Sequence, residues 1–181
     1  METNEIQSAY LAGGCFWCTE AVFKMLKGVT NVTPGYAGGT SATPTYEEVS
    51  TGTTGYAETL KIDFNSEIIT YGEILDIFWH THDPTTLNQQ GNDVGTQYRS
   101  AIFFVDESQQ QIATQKLEML TSSHEFRGKI VTEIIPLDKF YRAEDYHKDY
   151  FEKNPKAMYC QLVISPKLQH LKERYSARLK V

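Results

Sequence analysis

The sequence predicts an α+β fold: a ferredoxin-like split βαβ core with additional C-terminal helices and strands. Three observations carry this. The first part reads strand, helix, strand, strand, helix, strand, which is the element order of that unit. Apolar residues recur every second position in some segments and every third or fourth in others, which separates strands from helices. No repeat, low-complexity tract or linker divides the 181 residues. One catalytic domain over 1–181 is therefore expected, a length that builds a full core.

Gln7 to Ala12 reads as a short strand ending at Gly13-Gly14. Cys15 to Lys27 follows as a helix with Val22, Phe23 and Leu26 as its apolar members, stopped by Gly28. Val29 to Tyr36 is extended, broken at Pro34-Gly35, and leads into a polar loop from Gly38 to Pro44. Glu58, Leu60, Ile62 and Phe64 alternate with Thr59, Lys61 and Asp63, the pattern of a half-buried strand. Tyr71 to His82 carries Ile74, Ile77 and Phe78 at helical spacing. Asp83 to Gln97 holds Pro84, Gly91 and Gly95 and few large apolar residues, so it reads as one long loop, a length usually kept for function. Ser100 to Val105 is a strand, Ser108 to His124 a helix and Val131 to Ile135 a strand. Ala143 to Lys153 reads as a short helix, Tyr159 to Ile164 as a strand, and Pro166 as the first turn of a terminal helix.

Composition narrows the function. Hydrophobic residues make up 40% and charged residues 22%, an ordinary globular balance. The net charge of −6 gives no overall basic field for nucleic acid. The apolar runs, such as Ala101 to Val105, are too short to span a membrane. The opening Met1-Glu-Thr-Asn-Glu-Ile6 lacks the apolar core of a signal peptide, so a cytoplasmic protein is expected. Its three cysteines, Cys15, Cys18 and Cys160, do not form a secreted disulfide framework, and thiols with a chemical role are the alternative.

Gly13-Gly14-Cys15-Phe16-Trp17-Cys18 is the most informative stretch. Two glycines permit a sharp turn, and a cysteine at a helix start meets unpaired N–H groups and the positive end of the dipole, which favour the nucleophilic thiolate. Phe16 and Trp17 form either a pocket for a small apolar group such as a methyl, or plain core under the helix start. The Cys15-x-x-Cys18 pair leaves three readings open. A zinc site would need further ligands, which His124, His147 and Cys160 would supply only through the fold. A thioredoxin-type exchanger places its C-x-x-C before a helix. In the third reading Cys15 is a nucleophile that a partner cysteine regenerates.

Glu58 falls on the apolar side of its strand. There burial would raise its pKa and make it a general acid, unless a bulge turns it to water. Tyr46 and Tyr98 close two loops from which a phenol can donate into a cleft, although either of these among 11 tyrosines can equally be structural. Asp93 can cap, turn or bind.

Taken together, these segments resemble the A-type peptide methionine sulfoxide reductases from about Tyr10 to Cys160. Gly14-Cys15-Phe16-Trp17, Pro34-Gly-Tyr-Ala-Gly-Gly39, Pro44-Thr-Tyr46-Glu-Glu-Val and Thr54-Gly-Tyr-Ala-Glu58 carry the resemblance. So do Asp83-Pro-Thr-Thr-Leu-Asn88, Gln90-Gly-Asn-Asp93-Val-Gly-Thr-Gln-Tyr98-Arg-Ser and Phe140-Tyr-x-Ala-Glu-Asp-Tyr-His147. The resemblance implies an oxidoreductase with no bound cofactor that repairs oxidised methionine, free or in proteins, acting on the S epimer. Cys15 would attack the sulfoxide sulfur, Glu58 protonate its oxygen, and Tyr46 and Tyr98 hydrogen-bond that oxygen. Phe16 and Trp17 would hold the methyl group, and Asp93 would order the loop. The resulting Cys15 sulfenic acid would be resolved as a disulfide and reduced by thioredoxin, or by dithiothreitol in vitro. Cys160 lies where many members place their resolving cysteine, with Cys18 as a partner or relay. A monomer without nucleic-acid or membrane partners is expected.

Three positions depart from the family pattern. Tyr56 replaces a histidine, Gln89 stands where a basic residue is common, and Cys160 runs into Leu162-Val-Ile and a charged helix instead of a glycine-rich tail with a further cysteine.

Overall fold

The computed structural model describes residues 5–181. Met1 to Asn4, on which the reading of the N-terminus largely rests, lie outside the described residues. The main sheet has six strands in the order β7-β6-β1-β3-β2-β8. Its centre is β1 (Ile6–Gly13), antiparallel to β3 (Ala57–Asn65) on one side and to β6 (Ser100–Phe104) on the other. β2 (Val29–Ala37) pairs antiparallel with β3. Among the four strands of the predicted core, β6-β1-β3-β2 is the fourth-first-third-second order of a split βαβ unit, as expected. β7 (Glu133–Pro136), which follows α4 (Glu107–Ser123) and runs parallel to β6, and β8 (Phe140–Arg142), antiparallel to β2, extend both edges.

Alternation on β3 decides where the site forms. Leu60, Ile62 and Phe64 are fully buried and pack with Val22, Phe23 and Leu26 of α1 (Phe16–Lys24) and with Ile74, Leu75 and Phe78 of α3 (Tyr71–His80). Ala57 faces the other way, into a smaller layer with Ala12, Ala37, Ala101 and Phe103. Glu58, two residues before Leu60, therefore points to the helix-covered face and is 2% exposed. Register sets its neighbours: Tyr36 pairs with Glu58, and Gly13 with Ser100. The end of β1, the end of β2 and the starts of β3 and β6 thus meet at one end of the sheet, where α1 begins.

Four expectations change. The first helix stops at Lys24 rather than Lys27, because the backbone of Met25 and Lys27 bonds the C-terminal segment (Lys180 N to Met25 O 2.8 Å; Lys27 N to Arg178 O 2.8 Å). The loop from Asp83 to Gln97 contains a small hairpin, β4 (Gln89–Gln90) with β5 (Asp93–Val94), and ends in a 3₁₀ turn at Thr96–Tyr98. Ala143 to Lys153 is not one helix. Ala143 N–H bonds Pro34 O, extending the β8 pairing, and Asp149 has a positive φ of 57°, so only a 3₁₀ turn at Asp145–His147 and α5 (Tyr150–Lys153) form.

The fourth change is the largest. Tyr159 to Ile164 is no strand: Cys160–Ile164 is a π-helical turn that runs straight into α6 (Ser165–Tyr175). Cys160, Ile164, Leu168 and Leu171 all turn inward while Leu162 is 69% exposed, which is a helical stripe. Pro166 opens α6 as expected, but it follows the widened turn, which accommodates its missing N–H.

Candidate active site

Gly14 brings the chain from β1 into α1 with φ +96°, and a Cβ there would lie 2.6 Å from Cγ of Gln90. Glycine therefore lets the β4–β5 hairpin sit directly on the turn. Cys15 is the N-cap of α1 and is 7% exposed. Phe16 N–H, the first amide of the helix, donates to Glu58 Oε2 at 3.0 Å. The helix start thus holds both the thiol and the carboxyl group.

Burial pushes Glu58 up to about 8, although the Phe16 N–H opposes the shift. Its protonated form dominates at neutral pH. The sulfurs depart from the expectation of a Cys15 thiolate. Burial, the hydrogen bond to Cys18 and the Glu58 charge all push the Cys15 thiol up. Cys18 is lowered to about 7, first by its hydrogen bond from Cys15 and also by Lys167. The two adjacent thiols are coupled, and Cys18 is the more readily ionised of the pair. Tyr159 Oη lies 3.3 Å from Cys18 Sγ and donates to Asp93 Oδ2 at 2.7 Å. A cleft of about 250 Å³ is lined by Cys15, Cys18, Gln90, Asp93, Tyr159 and Lys167, although Cys15 and Cys18 are themselves only 7% and 2% exposed.

Aromatic rings wall the other side. Phe16 is 1% exposed and packs on Tyr36 and His147 (ring centroids 5.8 and 5.0 Å). Trp17 is half-buried, stacks on Tyr150 at 3.7 Å, and donates from Nε1 to His147 Nδ1 at 3.0 Å. Burial lowers the pKa of His147, so the ring is neutral at pH 7 and accepts at Nδ1. Tyr46, the first residue of α2 (Tyr46–Ser50), approaches His147 at 4.4 Å and is pushed up to about 12 by burial and by Glu58 and Cys15. Tyr98 is raised by burial and by the same two groups, and packs in the cluster of Cys15, Cys18 and Cys160. Both phenols therefore keep their protons and can donate a hydrogen bond. Cys160 is fully buried in that cluster, and burial raises its thiol.

All nine residues singled out in the sequence gather at this end of the sheet. Several that hold them were missed. Glu144 accepts from Tyr36 Oη (2.9 Å) and Tyr46 N (3.0 Å), tying two aromatic segments together. Buried Glu20 accepts from Asp149 N–H (3.0 Å), fastening the segment that carries His147 and Tyr150 to α1. The motif Phe140-Tyr-x-Ala-Glu-Asp-Tyr-His147 was the available signal for Glu144 and His147. Of the departures from the family pattern, Tyr56 is buried and bonds Ser41 O, closing the loop after β2, and Gln89 donates to Gly91 O (2.8 Å) within the hairpin.

Paired thiols beside a protonated carboxylic acid, behind an aromatic wall, define a thiol-dependent oxidoreductase. Among the described residues, no group of three His, Cys, Asp or Glu side chains is arranged to hold a metal, and no helix is long and apolar enough to cross a membrane. The family profile for peptide methionine sulfoxide reductase matches residues 7–179, and the chain belongs to that family. The peptide methionine sulfoxide reductase MsrA of Saccharolobus solfataricus is 52% identical over 177 residues, covering 97% of this chain and 98% of the relative. Mxr1 from Saccharomyces cerevisiae in reduced form superposes with a TM-score of 0.81 at 36% identity, over 88% of this chain and 91% of Mxr1. Mxr1 in complex with Trx2 superposes at 0.57 and 26% identity, over 82% of this chain and 87% of that one.

Trp17 sits between a structural and a binding role, and one variant separates them. Trp17→Ala is expected to weaken methionine sulfoxide use by about tenfold or more, the order lost with a buried aromatic contact. Alkylation of Cys15 by iodoacetamide should change by less than about twofold, since activation of the sulfur does not run through the indole. Equal losses in both assays would assign Trp17 to core packing alone.

Proposed function

We propose that this protein reduces the S epimer of methionine sulfoxide, free or in peptides, with Cys15 as nucleophile and Glu58 as general acid. The observation that carries the reading is the Phe16 N–H to Glu58 contact at 3.0 Å, which sets a carboxyl group protonated at neutral pH beside the thiol at the helix start. Oε2 accepts from the amide, leaving Oε1 to present the acidic proton. Tyr46 and Tyr98 supply two further donors to the sulfoxide oxygen, and Phe16 and Trp17 receive the methyl group. Asp93 orders the hairpin and accepts from Tyr159.

As Cys15 attacks sulfur, its proton passes to the Cys18 thiolate, so the site supplies the attacking anion without prior ionisation to water. Oxygen moves to Cys15 as the thioether leaves. Sulfoxide and thiol thus become methionine and Cys15 sulfenic acid, the substrate sulfur being reduced and the Cys15 sulfur oxidised by one electron pair. Cys18 then attacks the sulfenic acid, a disulfide forms and water leaves. Cys18 is favoured over Cys160 because its thiol is the more acidic of the two, lies within hydrogen-bonding reach of Cys15 and lines the cleft, which Cys160 does not. The complex of Mxr1 with Trx2 supports thioredoxin as the reductant here, and the steps written above use no bound cofactor. One catalytic domain acting as a monomer in the cytoplasm completes the reading.

The test is one turnover without reductant. Mixing the protein with either methionine sulfoxide epimer should release one methionine per chain from the S form and none from the R form. Alkylation and mass mapping should then find Cys15 joined to Cys18, with Cys160 free. No methionine from either epimer would remove the function, and a Cys15–Cys160 bridge would reassign the resolving thiol.

A further inference from the structure

The 3₁₀ turn that carries Tyr98 grips the connection between α2 and β3 through the side chains on either side of the tyrosine. Thr96 Oγ1 donates to Gly52 O at 2.9 Å, and Gln97 Nε2 to Ser50 O at 3.3 Å. Arg99 donates from Nη2 to Gly55 O at 2.9 Å and from Nη1 to Thr96 O at 3.0 Å, while its Nε meets Glu133 at 3.3 Å. These carbonyls lie in consequential places. Ser50 ends the helix that Tyr46 begins, and Gly55 lies two residues before β3, which carries Glu58. Gln97 is 4% exposed and the Arg99 side chain 11%, so the donors are held within the turn, although the Ser50 and Gly55 carbonyls they reach belong to surface residues. The guanidinium also packs against Gly38, where an added Cβ would lie 2.6 Å from Nη2. One arginine therefore contacts the loop after β2, the loop before β3 and the turn of Tyr98.

We infer that Arg99, with Thr96 and Gln97, is a positioning residue for the sulfoxide step: it holds the Tyr98 hydroxyl in register with Tyr46 and Glu58. The inference rests on the reading of Tyr98 given above. Arginine is needed because its planar fork reaches two carbonyls and a carboxylate at once, which an ammonium on a flexible stem does not. A donor displaced by a fraction of an ångström contributes little to a transition state even where the fold survives.

The experiment is a double-mutant cycle of Arg99→Lys and Tyr98→Phe, read as the single-turnover rate of methionine formation at saturating sulfoxide. Cys15 alkylation is measured on the same proteins. Arg99→Lys should slow the sulfoxide step by about tenfold while alkylation changes by less than about twofold. In the Tyr98→Phe background the same change should cost less than about twofold, because the group it positions is gone. Thr96→Val, which deletes one hydroxyl at a partly buried turn, should give the same pattern more weakly and serves if the lysine variant does not fold. Additive losses in the cycle, or losses shared equally by alkylation, would overturn the inference and leave these bonds as fold stabilisers. A parent protein that forms no methionine would instead overturn the function.

Discussion

Cys15→Ser should fold as the parent does and lose methionine sulfoxide turnover by about 10⁴-fold or more, the scale of removing a nucleophile. The fold is expected to hold because Cys15 is the N-cap of α1 and makes no side-chain capping bond. Serine is a favoured residue at that position, so the helix start gains a cap rather than losing a contact. The chemistry is expected to fail for two reasons. A hydroxyl ionises far above neutral pH, and no neighbouring sulfur anion is basic enough to deprotonate it. Oxygen transfer to serine would also create an O–O bond, where transfer to sulfur creates a sulfenic acid. Circular dichroism and a thermal melt check the fold, and methionine release with dithiothreitol checks the activity. Substantial turnover by a folded serine variant would remove Cys15 from the mechanism.

Glu58→Gln is the second large effect. The amide fills the same volume and can still accept from Phe16 N–H, but it cannot deliver a proton. Loss of general acid catalysis slows a step by about 10²–10⁴-fold. The sign of the pH dependence follows from the environment. Burial raises Glu58 to about 8, so the reactive protonated form is present below that pH and is lost as pH rises through it. Single-turnover rates of the parent should therefore fall above pH 8, and that descending limb should be missing from the glutamine variant. A variant within about twofold of the parent, or one keeping the same limb, would assign the proton to another group.

The strand of Glu58 was legible because β alternation has a period of two. Leu60, Ile62 and Phe64 name the buried face, and Glu58 must share it unless a bulge intervenes; the only irregularity in that pairing lies at Val29/Asn31, at the far end. The segment around Cys160 was not legible in the same way. A short run such as Tyr-Cys-Gln-Leu-Val-Ile contains both a strand-like and a helical subset of apolar positions, and only contacts choose between them. Cys160 and Ile164 find α1 while Leu162 finds water, and the helical subset wins. The broken segment at 143–153 fails for a related reason: its helical propensity is overridden by a distant carboxylate, Glu20, which takes the amide of Asp149.

By itself the sequence determined the fold class, the helix start at Cys15 and the residues that gather around it, since these depend on local periodicity, glycine geometry and matched motifs. Only the tertiary structure decided which thiol ionises more readily. A helix terminus alone favours a thiolate on Cys15, but burial, a second sulfur within hydrogen-bonding reach and the Glu58 carboxyl group push the Cys15 thiol up and leave Cys18 the more readily ionised of the two. Apart from the neighbouring sulfur in α1, these influences come from Glu58 of β3, Lys167 of α6 and Asp93 of the β4–β5 hairpin, groups distant in sequence. Ionisation depends on everything within a few ångströms, and that neighbourhood exists only once the sheet has closed.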